Sequence, residues 1–349
     1  MKLSQFKYEI PQKYIASKPA SPRDSARMMV YNKTERTYED KNIRDLLDIM
    51  KRGDCLVLNE TKVFPARLVG EKEKTNAEIE VMLLRELKKE DRIWDVLVEP
   101  ARKVRIGNKI YFNDGQFYCE VIDNTTSRGR TVRFSYDGDL FDEIEKIGHM
   151  PLPEYIKREA TEKDKEDYQT VFANEEYLSS IAPPASNLHF TEEFLGELED
   201  KGIRIAKLNL NIGQGIFEKI EVEDLSKHRM YSEYFQIKRD AADTINKSLK
   251  QKKQVYAVGS SVLRALESSV LTTGLVKPNK DWTDKYIIPN FEPKIATRLI
   301  TNFHAPATPQ LLLTAAFMEG GKKELFEAYD RAKEKDYRFL VYGDAMLII

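Results

Sequence analysis

Two cysteines, four histidines and two tryptophans are all that 349 residues hold of those types. Cys55 and Cys119 are far apart and form no metal-ligand spacing, which excludes a disulfide framework and points to a reducing compartment. No stretch approaches the ~20 consecutive apolar residues of a membrane-spanning helix. The N-terminus, "MKLSQFKYEIPQKYIA", has no apolar signal core. Neither sign of charge dominates: 56 Lys and Arg stand against 57 Asp and Glu, a net charge of −1. Nucleic-acid contact would therefore have to come from a local patch rather than a global field. Internal repeats and low-complexity tracts are also lacking. A cytoplasmic globular protein is expected.

What the chain does have is ample material for a core, 41% apolar and 10% aromatic. Its length suits one large and one small domain. "SPRDSARMMVYN" clusters Arg23, Asp24 and Arg27 before a short apolar strand, "NIRDLLDIM" has helical spacing, and "CLVLNETKVFPARLVG" is a buried strand running to Pro65. From Val63 to His149 the texture changes to closely spaced strand-like runs such as "EIEVMLLREL", "IWDVLVEPA", "KIYFND", "FYCEVID" and "TVRFSYDG", suggesting a small barrel or sandwich. Afterwards helices and strands alternate, through "EEFLGELEDKG", "IRIAKLNLNIG", "RDAADTINKSLKQKK", "QVYAVG" and "SSVLRALESSV" to "YRFLVYGDAMLII", a buried strand. The expected fold is α/β, a largely parallel sheet with flanking helices, interrupted by an inserted antiparallel β-barrel. Residues 1–62 and 150–349 would form the discontinuous α/β domain, and 63–149 the insert.

Two segments share a format. "SNLHFTEEFL" and "NFHAPATPQLLL" each put a His beside a Phe shortly before a helix. Thr191 and Thr308 are N-cap residues, and Pro309 suits the first helical position. His189 and His304 thus lie near helix N-termini, whose free N–H groups attract a carboxylate or phosphate and whose positive end keeps an imidazole neutral. Each His could equally just tie down its loop.

Other groupings are weaker. "YAVGSSVLRALES" reads as strand, turn and helix, with Gly259 at the turn and Ser260 or Ser261 capping, but lacks the three glycines of a dinucleotide fingerprint. Arg264 and Glu267 are spaced as a surface ion pair. Gly213 and Gly215 in "NLNIGQGIF" would let a ligand approach the backbone. "KHRMYSEYF" gathers His228, Tyr231, Glu233 and Tyr234, a carboxylate among aromatic faces that suits a cation. The β-rich segment carries Arg102, Lys103, Arg105, Lys109, Arg128, Arg130 and Arg133 against Glu99, Asp114, Glu120 and Asp123, with Tyr111, Phe112, Phe117 and Tyr118 interleaved. That excess could serve a phosphate backbone or be a solvated barrel exterior.

In order along the chain, "PRDSARMMV", "LVLNETKVFPARLVG", "GHMPLPEYIKRE" with "DYQTVFANEE", "SNLHFTEEFL", "AVGSSVLRALES", "LITNFHAPAT" and "YRFLVYGDAMLI" complete a pattern. With them the chain resembles, essentially from end to end, the S-adenosylmethionine:tRNA ribosyltransferase-isomerase family of queuosine biosynthesis. The resemblance implies transfer and isomerisation of the ribosyl part of S-adenosylmethionine onto 7-aminomethyl-7-deazaguanine at the tRNA wobble position. Epoxyqueuosine-tRNA, adenine and methionine would be the products. S-adenosylmethionine would be a co-substrate, with no permanently bound cofactor, no metal and a monomeric enzyme.

Such chemistry needs a base for the C5′–H acidified by the sulfonium, an acid for departing adenine and a seat for the methionine carboxylate. His189, His304, Glu233 and His228 are the expected catalytic groups, the two His segments bordering one pocket. Substrate binding would fall to Arg23, Asp24, Arg27, Asn59, Arg67, Asn187, Phe190, Gly213, Gly215, Gly259, Ser260, Ser261, Arg264, Glu267, Asn302, Phe303 and Asp344. Arg102, Lys103, Arg105, Lys109, Arg128 and Arg130 are the tRNA-contact candidates. Several positions depart from the family pattern: Asn187 replaces a usual Gly, Asn211 and Tyr231 a usual His, and Ile216 a frequent Thr. Asn still permits a left-handed backbone. The alternative these departures leave open is a diverged paralogue that binds modified tRNA without turnover. A methyltransferase would need a Gly-rich loop after its first strand, which is not present.

Overall fold

The computed structural model describes residues 1–113, 115–318 and 321–349, so Asp114 lies outside the described residues. The strand Cys55–Asn59 is buried along its whole length. A strand apolar on both faces must be covered on both, and it pairs in parallel with Arg204–Leu210 and Val255–Val258. Arg298–Asn302 continues the parallel set.

Among the described residues these four form the centre of a nine-stranded mixed sheet, in which antiparallel pairs flank the parallel set and one further parallel pair lies towards one edge. Glu233–Ile237 and Asn279–Thr283 extend it on one side. Ala345–Ile348, Arg27–Asn32 and Thr37–Asn42 extend it on the other. Cys55 and Val57 face the helices Arg239–Lys250, Ser260–Ser268, Pro309–Phe317 and Lys322–Glu334, whereas Leu56 and Leu58 face the helix Glu192–Asp200.

Strands Arg67–Lys72, Glu78–Lys88, Ile93–Glu99, Lys109–Phe112, Phe117–Asn124 and Gly129–Ser135 close into an antiparallel barrel. Strict alternation drives the closure: Trp94, Val96 and Val98 point inwards, as do Phe117, Cys119 and Val121. At Gly70 a Cβ would come within 2.6 Å of the Phe112 ring, so only glycine fits. The helix Leu140–Ile147, capped by Asp139, packs Leu140 and Ile144 on the barrel. Entry and exit are stitched together, because the Arg67 and His149 backbones exchange hydrogen bonds of 3.1 and 2.8 Å.

Two expected elements are shorter than the pattern suggested. "NIRDLLDIM" is a 3-10 turn, Ile43–Asp45, followed by one helical turn, Leu46–Ile49. In "YRFLVYGDAMLII" only Ala345–Ile348 is strand. Leu340 takes a positive φ of 70°, and Asp344 accepts the Arg338 backbone N–H at 2.8 Å, folding the first half into a loop. No helix among the described residues is long and apolar enough to cross a membrane.

Candidate active site

The carboxyl ends of the parallel strands, where open α/β sheets hold ligands, border two adjoining cavities. The inner, about 50 Å³, is walled by Leu210, Ile212, Ser260, Ser261, Arg264, Tyr286, Pro309 and Gln310 among others. The outer, about 450 Å³, is a cleft with Phe64, Trp94 and Phe141 on the barrel side and Asn211, Gly213, Tyr234 and Trp282 on the sheet side. Tyr231 and Glu233 line both.

Glu233 opens the strand Glu233–Ile237, whose alternation turns its side chain inwards. One carboxylate oxygen accepts the Gly213 N–H at 2.9 Å, and the other is ion-paired with the Arg264 guanidinium. Arg264 also donates through Nε and Nη2 to the Lys285 and Thr283 carbonyls at 3.0 and 3.1 Å. Both partners are about nine-tenths buried, with side-chain exposures of 8% and 10%. Arg264 and Glu267 are therefore not a surface pair. Glu267 instead accepts three backbone N–H groups, from Lys294, Ile295 and Ala296 at 2.9, 2.9 and 3.2 Å, and shapes a loop rather than the cavity.

Two helix N-termini end at the inner cavity. Gly259, with φ of 90°, makes the turn into Ser260–Ser268, whose start has no side-chain cap. Thr308 caps Pro309–Phe317, and Pro309 takes the first position. Their free N–H groups and aligned dipoles favour a negative group between them. The Tyr286 hydroxyl on the same wall is buried and has no hydrogen-bond partner. Against it, at 5.1 Å between centroids, packs the His228 ring, whose pKa burial pulls below the ordinary value. Tyr231 donates to Glu218 at 2.6 Å, and burial together with that carboxylate pushes its phenol up to about 12.

The two histidines do not meet. His189 bonds Asn302 through Nε2 at 3.0 Å, and His304 bonds Thr301 at 2.7 Å. Thr301 and Asn302 are consecutive on one strand, so their side chains point to opposite faces of the sheet. Neither histidine lines either cavity. Burial lowers both imidazole pKa values to about 4, so both rings are neutral near pH 7. His304 is held at its backbone by the Tyr329 and Tyr8 hydroxyls.

Most other expected binding residues do not line the cavities but bond to the backbone or pack in the core. Asn59 donates to the Leu210 carbonyl at 2.9 Å and to Ser261 Oγ at 3.1 Å. Asn187 accepts the Asn59 N–H at 2.9 Å and donates to the Val258 carbonyl at 2.8 Å. It needs no left-handed backbone, because it sits in the 3-10 turn Ala185–His189 and works through its side chain. Asn302 is anchored to the Leu340 carbonyl. Phe190 stacks on Phe194, and Phe303 packs among Tyr329, Tyr337 and Phe339.

Asp344 pairs with Arg338, and Asp24 with Arg44. Arg23 donates to the Gln169 and Glu166 carbonyls, Arg27 to that of Lys335, and Arg67 to that of Leu152. Of the expected residues only Glu233, Gly213, Gly215, Ser260, Ser261 and Arg264 line either of these two cavities.

The barrel's basic set divides. Arg130 is buried and gives its guanidinium to the Ala101, Val104 and Gly129 carbonyls, so it closes the barrel rather than meeting RNA. Arg128 pairs with Glu99 and Glu154. Arg102, Lys103 and Arg105 are exposed, and Lys109 lies over the Tyr118 ring at 5.1 Å. Alternation also splits the aromatics: Phe112 and Phe117 fill the barrel, whereas Tyr111 and Tyr118 pair outside it, 5.1 Å between centroids.

Sequence reasoning missed Gln310, Lys285, Tyr286, Phe64, Trp94, Phe141 and Trp282. Only Pro309 and its Thr308 cap were legible locally, since the rest come from distant segments. Among the described residues no three His, Cys, Asp or Glu side chains group as metal ligands.

Comparison with known proteins covers the whole chain. The family model described as queuosine biosynthesis protein matches residues 3–348. A relative from Chloroherpeton thalassium, named S-adenosylmethionine:tRNA ribosyltransferase-isomerase, is 52% identical over 352 residues and 100% of both chains. One of the same name from Cytophaga hutchinsonii is 49% identical, again over 100% of both. The crystal structure of an S-adenosylmethionine tRNA ribosyltransferase from Thermotoga maritima is 28% identical. It matches 99% of this chain and 100% of that one with a TM-score of 0.54.

Proposed function

Because this chain belongs to the queuosine biosynthesis protein family, we propose that it is an S-adenosylmethionine:tRNA ribosyltransferase-isomerase. It transfers and isomerises the ribosyl moiety onto 7-aminomethyl-7-deazaguanine at the wobble position, giving epoxyqueuosine-tRNA, adenine and methionine. The observation that carries the reading is the buried Glu233 carboxylate at the junction of the two cavities.

A sulfonium acidifies its neighbouring C5′–H, and a fixed carboxylate both attracts that cation and accepts the proton. The same group suits the acceptor amine, which must lose a proton before it attacks. Arg264 and the Gly213 N–H orient the carboxylate while leaving each oxygen a free lone pair. The methionine carboxylate belongs at the uncapped start of Ser260–Ser268, facing Gln310. Tyr286, backed by His228, is the candidate donor to departing adenine.

His189 and His304 are then positioning residues, neutral imidazoles that fix Asn302 and Thr301 at the strand end. Exposed Arg102, Lys103 and Arg105, with half-buried Lys109 beside them, would meet tRNA phosphates. Incubation with S-adenosylmethionine and tRNA bearing the 7-deazaguanine amine should release adenine and yield the new nucleoside by mass. Glu233→Gln should slow release by about 10²- to 10⁴-fold, the range for loss of a positioned proton acceptor. Binding of the modified tRNA without adenine release would favour the non-catalytic paralogue, and a Glu233→Gln variant as fast as wild type would remove Glu233 from the chemistry.

A further inference from the structure

Large exposed side chains are scattered over this surface, but three of them, Ile216, Tyr231 and Trp282, gather at the cavities described above. Trp282 is the most exposed of the three, at 52%, on the outermost strand of the sheet. Its cross-strand partner is Tyr234, edge to face at 5.9 Å between centroids. Arg85 of the barrel holds its guanidinium 5.7 Å from the indole centroid and is itself paired with Asp95. A tryptophan contributes most to stability when buried, so an exposed one, steadied from both lobes at the mouth of a 450 Å³ cleft, calls for a ligand.

We propose that Trp282 is a stacking platform for an unpaired RNA base, the nucleotide next to the one that enters the cleft. This deepens the reading above and rests on it. A base buried to Glu233 must leave its loop stack, and its neighbour then loses a stacking partner. A flat indole at the cleft mouth replaces that partner, with any base accepted because every base has a π-face. Tyr231, also exposed and lining both cavities together with Glu233, connects the cleft to the carboxylate.

The test measures Kd for a fluorescently labelled anticodon stem-loop, and KM and kcat for adenine release, in wild type and in Trp282→Ala, Trp282→Leu and Trp282→Phe. Loss of one base–aromatic stack should weaken binding about tenfold in the Ala and Leu variants. The loss should fall on KM more than on kcat, and Phe should recover most of it. Equal Kd across the four proteins overturns the proposal. So does a Leu variant that binds as well as Phe, which would mean apolar packing rather than stacking. A lowered urea midpoint with unchanged Kd would make Trp282 a latch between the lobes and equally overturn it. If wild type releases no adenine while the Ala and Phe variants still differ in Kd, the catalytic reading fails and the stacking platform stands.

Discussion

Arg264→Leu is the most informative single change in the candidate site. Leucine fills much of the same volume but donates nothing. The Glu233 carboxylate then remains in a place about nine-tenths shielded from water, with Gly213 N–H as its one remaining donor at 2.9 Å. Breaking a buried pair from one side costs about 3–5 kcal/mol, because the survivor's charge is uncompensated. The Thr283 and Lys285 carbonyls also lose donors at 3.1 and 3.0 Å, each worth about 1 kcal/mol. A net loss of about 5–7 kcal/mol is expected, a large share of the ~5–15 kcal/mol that folds a typical protein.

Glu233→Gln keeps an oxygen acceptor and should cost about 1.5–3 kcal/mol, the value of a hydrogen bond to a charged group. In the double variant the stranded charge is gone, so its loss should undershoot the sum of the singles by about 1–3 kcal/mol. Urea unfolding at neutral pH measures all three, provided the m-value is unchanged. A loss below about 1 kcal/mol for Arg264→Leu, or additivity to within about 0.5 kcal/mol, would refute the view of a desolvated, mutually dependent pair.

Acid stability should depend on His189, whose pKa burial lowers from 6.5 to about 4. The folded state holds it neutral while the unfolded chain takes a proton below about pH 6.5. Its stabilising contribution is thus whole above pH 6.5 and is lost as pH falls to 4, to the extent of about 3 kcal/mol. His189→Gln should reduce the slope of urea midpoints over that window, the equally lowered His304 keeping its share, and an unchanged slope would count against burial as the cause. On the barrel, replacing Arg102, Lys103 and Arg105 together with Gln should reduce the slope of log K for tRNA against log salt by about two. Arg130→Leu should instead lower the thermal midpoint and leave that slope alone; the reverse pattern would exchange the two assignments.

The barrel strands were readable because each is half-buried, and period-two alternation survives in Ile93–Glu99 and Phe117–Asn124. The buried central strands were readable as apolar runs bounded by turn residues. Cap chemistry was local too, with Thr191 and Thr308 accepting backbone N–H groups as their positions suggested. The histidine pairing failed for a geometric reason. Similar motifs place His189 and His304 near helix starts, but their partners are adjacent residues of one strand, and adjacent strand residues face apart. The Asn59–Asn187 fastening spans 128 residues, and nothing in either local pattern names the other.

Sequence alone therefore determined the elements, the α/β class with its inserted barrel and the kinship, because periodicity, turn chemistry and motif order are written within short windows. Tertiary structure alone decided that Glu233 meets Arg264, that two helix starts share one cavity, and that Arg130 is a fastener while Arg102 is free to meet solvent. Those facts depend on strand order and on which face each side chain takes. Both are settled by packing between segments far apart in the chain.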